Sequence, residues 1–211
     1  IAPHSIPHPL LYQKAKLKRV AYILSVIFHP LILPTYAFAV IVLTNPYLFG
    51  NFSEGLKWLV VMRVFINTFL FPVICIFLLK QLGYVKSVNM EDRKERIIPY
   101  ICCMVFYFWS FMVYRKSEEP VILNTALLGA SVTLAVVFVI NLFRKVSIHT
   151  AGMGCLIGLM LGNTLFSTYN LVWILLITLI AAGLVGTSRI LLKAHEEKEI
   201  YIGYFVGFMA Q

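Results

Sequence analysis

The sequence predicts an all-α fold, a polytopic transmembrane helical bundle of about six to seven spans. Three observations lead there. Of its 211 residues, 60% are hydrophobic and only 13% are charged, against about 45–50% and about 25% in a water-soluble domain. Mean hydropathy is +0.86. Apolar runs of roughly 18 residues recur, each long enough to cross a hydrocarbon layer about 30 Å thick. The runs are continuous and not alternating, which selects helices over a closed barrel as the way to satisfy the backbone in lipid.

The elements follow in order. Residues 1–17 carry Pro3, Pro7, Pro9, His4 and His8, and read as a flexible or surface-lying lead with solvated histidines. The first span is expected at 20–44, broken or kinked at His29-Pro30 and Pro34, because proline removes a backbone donor and crowds the preceding turn. The second covers 57–81, with Trp58 at an interface. After the polar loop KQLGYVKSVNMEDRKER come spans at 97–114, 121–143, 148–167 and 171–188. A last apolar run, 200–211, reaches only about 18 Å as a helix. The whole chain, 1–211, reads as one domain. Gly154, Gly158 and Gly162 form a small-residue stripe that admits a close neighbour, and Ala181, Ala182, Gly183 and Gly186 have the same implication. Cys75, Cys102, Cys103 and Cys155 lie in apolar runs without a CxxC pair and read as small core residues. No signal-peptide pattern precedes the first long apolar segment.

Counting spans sorts the loops. Those at 82–96, 144–149 and 189–199 follow even-numbered spans and emerge on one face, where nearly all the polar chemistry lies. Among 18 Lys and Arg, all but Lys57, Arg63, Arg115 and Lys116 fall on that face. The positive-inside rule then places it in the cytoplasm. Arg63 reads as an interfacial residue that snorkels or pairs near the far side, and Arg115, Lys116, Glu118 and Glu119 as a solvated turn. His29 beside Pro30 reads as kink packing. The net charge of +9 fits contact with anionic headgroups, not nucleic acid.

On the basic face, His195 and Glu199 stand four apart and share a helical side. A carboxylate on one imidazole nitrogen fixes the tautomer and leaves the other nitrogen as a nucleophile. His149, opening the fifth span, is placed to protonate a leaving alkoxide and later to activate water. Arg189, Arg93 and Arg96 are permanently charged forks suited to phosphate oxygens. Ser147 and the backbone N–H groups of a helix start add donors. Lys145 reads equally as a phosphate contact or as an ordinary interfacial lysine. Together these residues suit phosphoryl transfer through a phosphohistidine, with several arginines favouring an anion over a metal cation.

The same residues resemble the type 2 phosphatidic acid phosphatase (PAP2) superfamily, whose motifs are K-x6-R-P, P-S-G-H and S-R-x5-H-x3-D. Ser188-Arg189, His195 and Glu199 match the third motif, with Glu for Asp. V-S-I-H (146–149) keeps the serine and histidine of the second but not its proline and glycine. The first fits either Lys86 with Arg93, where Lys94 replaces the proline, or Arg93 and Arg96 followed by Pro99. The arginine pair is preferred, with Lys86 and Lys94 in reserve. The resemblance covers about 86–207. It implies the family's helical bundle, His195 as nucleophile, His149 as acid, and no metal or other cofactor.

The function expected from all this is hydrolysis of the phosphomonoester or pyrophosphate of a membrane lipid: phosphatidate, phosphatidylglycerophosphate or a polyprenyl phosphate. A lipid phosphotransferase with the same intermediate is the near alternative. A non-catalytic transporter or lipid-binding protein is the distant one. The expected partners are that lipid and the bilayer, with no nucleic acid, and the expected location is the inner (cell) membrane of a bacterium. Many members of the family work on its outer face, against the charge count.

Overall fold

The structure, a computed structural model, describes residues 8–84, 94–167 and 169–211. Helix α1 (His8–Ile27) turns at Phe28–Ile32 into α2 (Leu33–Thr44), and the single turn α3 (Pro46–Phe49) follows. A longer helix, Glu54–Gln81, consists of α4 (Glu54–Phe65), a π-helical turn (Ile66–Leu70) and α5 (Phe71–Gln81). A 3₁₀ turn (Lys94–Arg96) leads into α6 (Ile97–Arg115), then α7 (Val121–Phe143), α8 (Ile148–Phe166), α9 (Val172–Leu191) and α10 (Glu197–Ala210). No strand occurs among the described residues.

Five helices are long and apolar enough to cross a membrane: Glu54–Gln81, Lys94–Arg115, Val121–Phe143, Ile148–Phe166 and Val172–Leu191. Their outer faces carry exposed side chains such as Phe77, Trp109, Ile177 and Ile180. A water-soluble monomer rarely exposes apolar area on this scale, whereas lipid tolerates it. The chain is accordingly an integral membrane protein.

Helix begins within the lead, at His8. The stretch expected at 20–44 is two helices, and of the break or kink expected at His29-Pro30 the break is the one observed. Pro34 instead stands in the first turn of α2, where its missing N–H would be unpaired anyway. At 12 residues, α2 is too short to cross alone. The second long helix has its own irregularity. Pro72 cannot donate to the turn before it, and the extra residue of the adjoining π turn, closed by Phe71 N–H on the Ile66 carbonyl, absorbs the conflict.

α8 is the centre of the bundle. α10 lies along it more closely than any other helix pair, and α9, α2 and α7 pack around it. The close approach requires glycine. A Cβ on Gly203 would collide with Thr150 and the Ser147 carbonyl, and one on Gly207 with the Ala151 carbonyl. One on Gly154 would meet the Tyr204 backbone. The stripe thus serves α10, although Gly162 has open space beside it. On α9, Tyr204 lies against Gly186 and donates to the Ala182 carbonyl. Phe38, Ile41, Val60, Leu123 and Met160 form the main core between α2, α4, α7 and α8. α5 stands apart and packs chiefly against α6, with the Cys75 and Cys102 sulfurs 2.8 Å apart across that contact.

At the end away from the basic loops, Arg63 Nη1 donates to Glu119 Oε1 at 2.8 Å. Its guanidinium lies 5.4 Å from the Tyr114 ring centroid. Glu119 Oε2 also accepts from Ser117 at 2.6 Å. Of the alternatives for Arg63, pairing is the one observed. The 115–119 turn is not simply solvated, because Glu119 ties α4 to the α6–α7 connection.

Candidate functional site

The site begins with how α9 ends. Ala194 N–H bonds the Arg189 carbonyl at 3.1 Å, and Lys193 takes a left-handed backbone (φ 53°). That conformation is costly for a residue with a Cβ. The reversal returns the chain to the bundle and leaves His195 8% exposed. His195 Nδ1 then lies 2.6 Å from Glu199 Oε2. The same oxygen accepts the Glu196 backbone N–H at 3.3 Å, so one carboxylate caps α10 and holds the imidazole. A carboxylate acceptor implies that Nδ1 carries the proton and that the Nε2 lone pair is free.

Two effects govern the charge on that ring. Burial, and then the positive charges of Arg189, Arg96 and Lys145, lower its pKa from 6.5 to about 3. The Glu199 contact pulls the other way. With three cations and burial against one carboxylate, the neutral imidazole is the form held at neutral pH.

The second histidine stands at the start of α8. Ser147 is the N-cap, its hydroxyl accepting the Thr150 N–H at 3.4 Å. A serine cap needs neither proline nor glycine beside it, so V-S-I-H starts the helix as it stands. Ser147 N–H also bonds the Glu199 carbonyl at 3.3 Å, linking the start of α8 to α10. His149 Nε2 lies 3.2 Å from the Ser25 carbonyl. A carbonyl only accepts, so Nε2 bears hydrogen and Nδ1 is left to exchange a proton. Arg189 Nη1 donates to Ser25 Oγ at 3.3 Å. Ser25, near the end of α1, therefore contacts both the arginine and the histidine.

These side chains share a cavity of about 350 Å³. His195, His149, Arg189 and Arg96 line it, together with His29, Lys80 and Tyr100, over a wall of Val73, Ile76 and Phe77 from α5. Three helix starts converge there: Arg96 is the N-cap of α6, His149 is in the first turn of α8, and His195 precedes α10. Helix N-termini favour negative charge, as do the cations. A smaller apolar cavity of about 60 Å³ adjoins it deeper in the bundle, also bordered by Pro30, Leu31 and Ile148.

Of the residues singled out from sequence, His195, His149, Arg189 and Arg96 line the cavity, and Glu199 stands behind His195. Ser147 does not: it is fully buried as the cap of α8. Lys145 is half-buried outside the lining and acts on His195 through its charge. Lys86 and Arg93 lie outside the described residues. Sequence reasoning undervalued His29, whose ring meets His149 edge-on with centroids 5.4 Å apart. Leu31 N–H points at its Nδ1 from 3.4 Å. It also left Lys80 without a role and Tyr100 unmentioned. The available signal for Tyr100 was its position four residues after Arg96, on one helical face.

Among the described residues, no group of three or more His, Cys, Asp or Glu side chains is placed to hold a metal ion. What the fold and cavity define is a helical membrane protein with a buried, cation-rich, histidine-bearing cavity. No family model, no curated protein and no solved structure matches the chain.

Proposed function

We propose that the chain is an integral-membrane lipid phosphatase of the PAP2 type, working through a phosphohistidine at His195. The observation that carries this reading is one cavity uniting a carboxylate-held neutral imidazole, a second histidine and two arginines beside an apolar wall. A nucleophilic histidine needs a free nitrogen, an anchor for the opposite one, and cations around the group it attacks.

The phosphoryl group sits between Arg189 and Arg96, and the hydrocarbon follows the α5 wall, the side of the cavity least enclosed by packing. His195 Nε2 attacks phosphorus and the P–O bond to the lipid breaks. A monoanionic phosphoryl group brings in one proton, which passes to His149 Nδ1 and from there to the leaving oxygen. Neutral His149 then removes a proton from water, which attacks the phosphohistidine. The P–N bond breaks, inorganic phosphate leaves with the proton held by His149, and both histidines are neutral again. Glu199 stabilises the positive charge that develops on the imidazole. On the charge count, the cavity faces the cytoplasm.

The test is phosphate release from a panel of phosphatidate, phosphatidylglycerophosphate and polyprenyl mono- and diphosphates. His195→Ala and His149→Ala run alongside, with and without an added lipid alcohol. Phosphate release lost in His195→Ala, with folding intact, supports the reading. Equal turnover in wild type and His195→Ala sinks it. A phosphorylated alcohol as the main product makes the protein a phosphotransferase.

A further inference from the structure

Tyr100 lies one turn into α6 from Arg96 and is 5% exposed. It lines the same cavity as Arg96, Arg189, His149 and His195. Its hydroxyl is buried within reach of the Arg96 guanidinium, which can only donate to it; among the described residues it meets no partner in good geometry and no acceptor for its own proton. Other buried tyrosines of the bundle are satisfied: Tyr114 donates to the Val60 carbonyl at 2.7 Å and Tyr107 to the Pro30 carbonyl at 3.3 Å. Burying a hydroxyl without a partner is costly, and such a group in a folded protein calls for an explanation. Arg189 Nε, in the same cavity, is also buried without a partner. A phenol proton without an acceptor and an unpartnered guanidinium N–H, both on residues lining one cation-rich cavity, describe a site shaped for an acceptor-rich anion.

We infer that the Tyr100 hydroxyl is a direct ligand of the bound phosphoryl group, donating to one of its oxygens beside Arg96. This rests on the phosphatase reading for the identity of the anion. The placement of Tyr100 suits the role. Along α6 the cavity lining passes from Arg96 through Pro99 and Tyr100 to Cys103, from charge to apolar surface. A phenol at that boundary can meet an oxygen where headgroup gives way to hydrocarbon. Its proton stays on the phenol, so it contributes a hydrogen bond without taking part in proton transfer.

Tyr100→Phe removes only the hydroxyl and tests the assignment. Because no acceptor for that group's proton is found among the described residues, the thermal midpoint without added ligand stays the same or rises. Hydrogen bonds to charged groups contribute about 1.5–3 kcal/mol, so orthovanadate affinity falls roughly 10- to 150-fold on that basis. The kcat/KM for lipid phosphate falls in parallel. A hydroxyl that merely steadied Arg96 predicts a different pattern, in which the vanadate defect disappears in an Arg96→Lys background; its persistence there supports direct contact. Equal vanadate responses from wild type and Tyr100→Phe, including none from either, overturn the inference, as does a lower midpoint in the unliganded variant. If vanadate shows the expected difference but no lipid releases phosphate, the hydrolase reading falls while Tyr100 stands as an oxyanion ligand.

Discussion

Glu199→Gln isolates what the carboxylate adds to His195. The substitution keeps the shape of the side chain and removes its charge. Glu199 Oε2 lies 2.6 Å from His195 Nδ1, and the two side chains are 19% and 2% exposed, so water screens the pair poorly. Two unit charges about 4 Å apart interact by about 4 kcal/mol at an effective dielectric constant of about 20. In the proposed mechanism only part of the imidazolium charge has formed when the P–O bond breaks. About 2–3 kcal/mol is therefore lost from the transition state, a fall in kcat of roughly 30- to 150-fold. KM changes little, because the imidazole is neutral in the ground state and Glu199 does not line the cavity. Single-turnover phosphate release in detergent micelles, with circular dichroism to verify folding, makes the comparison. A Glu199→Gln variant with wild-type kcat refutes the reasoning. So does one whose defect lies wholly in KM, since Glu199 would then be acting on substrate binding.

Other perturbations test other parts of the account. Gly207→Val drives a branched side chain into the Ala151 carbonyl; overpacking typically costs about 1–3 kcal/mol, and backbone contact leaves little room to relax, so thermal midpoint and activity fall together. Arg189→Lys replaces a fork by a point charge and lowers kcat/KM roughly 10-fold or more, on the strength of charged hydrogen bonds, without a comparable loss of stability. Acid sensitivity follows from His195. Its folded pKa of about 3 lies below the ordinary 6.5, so between those values the unfolded chain holds a proton that the folded one refuses. Stability therefore falls as pH drops from 6.5 towards 3, and His195→Asn flattens the dependence of the thermal midpoint over that window. Copper-phenanthroline oxidation joins Cys75 to Cys102, whose sulfurs face each other across α5 and α6; intact mass reports the loss of two hydrogens, and Cys102→Ser abolishes it.

The legible part of the fold is the part written in continuous apolar runs. α7 occupies the 121–143 expected for it, bounded by Pro120 and the Arg144-Lys145 pair. At 20–44 apolarity alone would draw one unbroken span, because hydrophobic residues continue through it; the prolines mark the interruption, and the structure places the break at His29-Pro30. The pairing of Arg63 with Glu119 was unreadable, since it joins residues 56 apart in sequence. Loop sidedness, obtained by counting spans, agrees with the cavity, which gathers residues from the starts of α6 and α8 and the end of α9. His195 and Glu199 were readable because i to i+4 contacts belong to a helix. Ser147 was ambiguous because a helix cap and an anion ligand are the same residue type at the same kind of position; the structure shows it as the buried cap of α8. His29 and Lys80 entered the cavity through tertiary packing, which no local spacing encodes.

Whether His195 forms a covalent bond to phosphorus is the question on which the account turns. Rapid-quench reaction of the wild-type protein with radiolabelled lipid phosphate, followed by peptide mapping, answers it. The account predicts a transient phosphoprotein, stable to base and labile to acid as a phosphoramidate is, mapping to His195 and absent from His195→Ala. Turnover without any phosphoprotein, or label retained in His195→Ala, contradicts it.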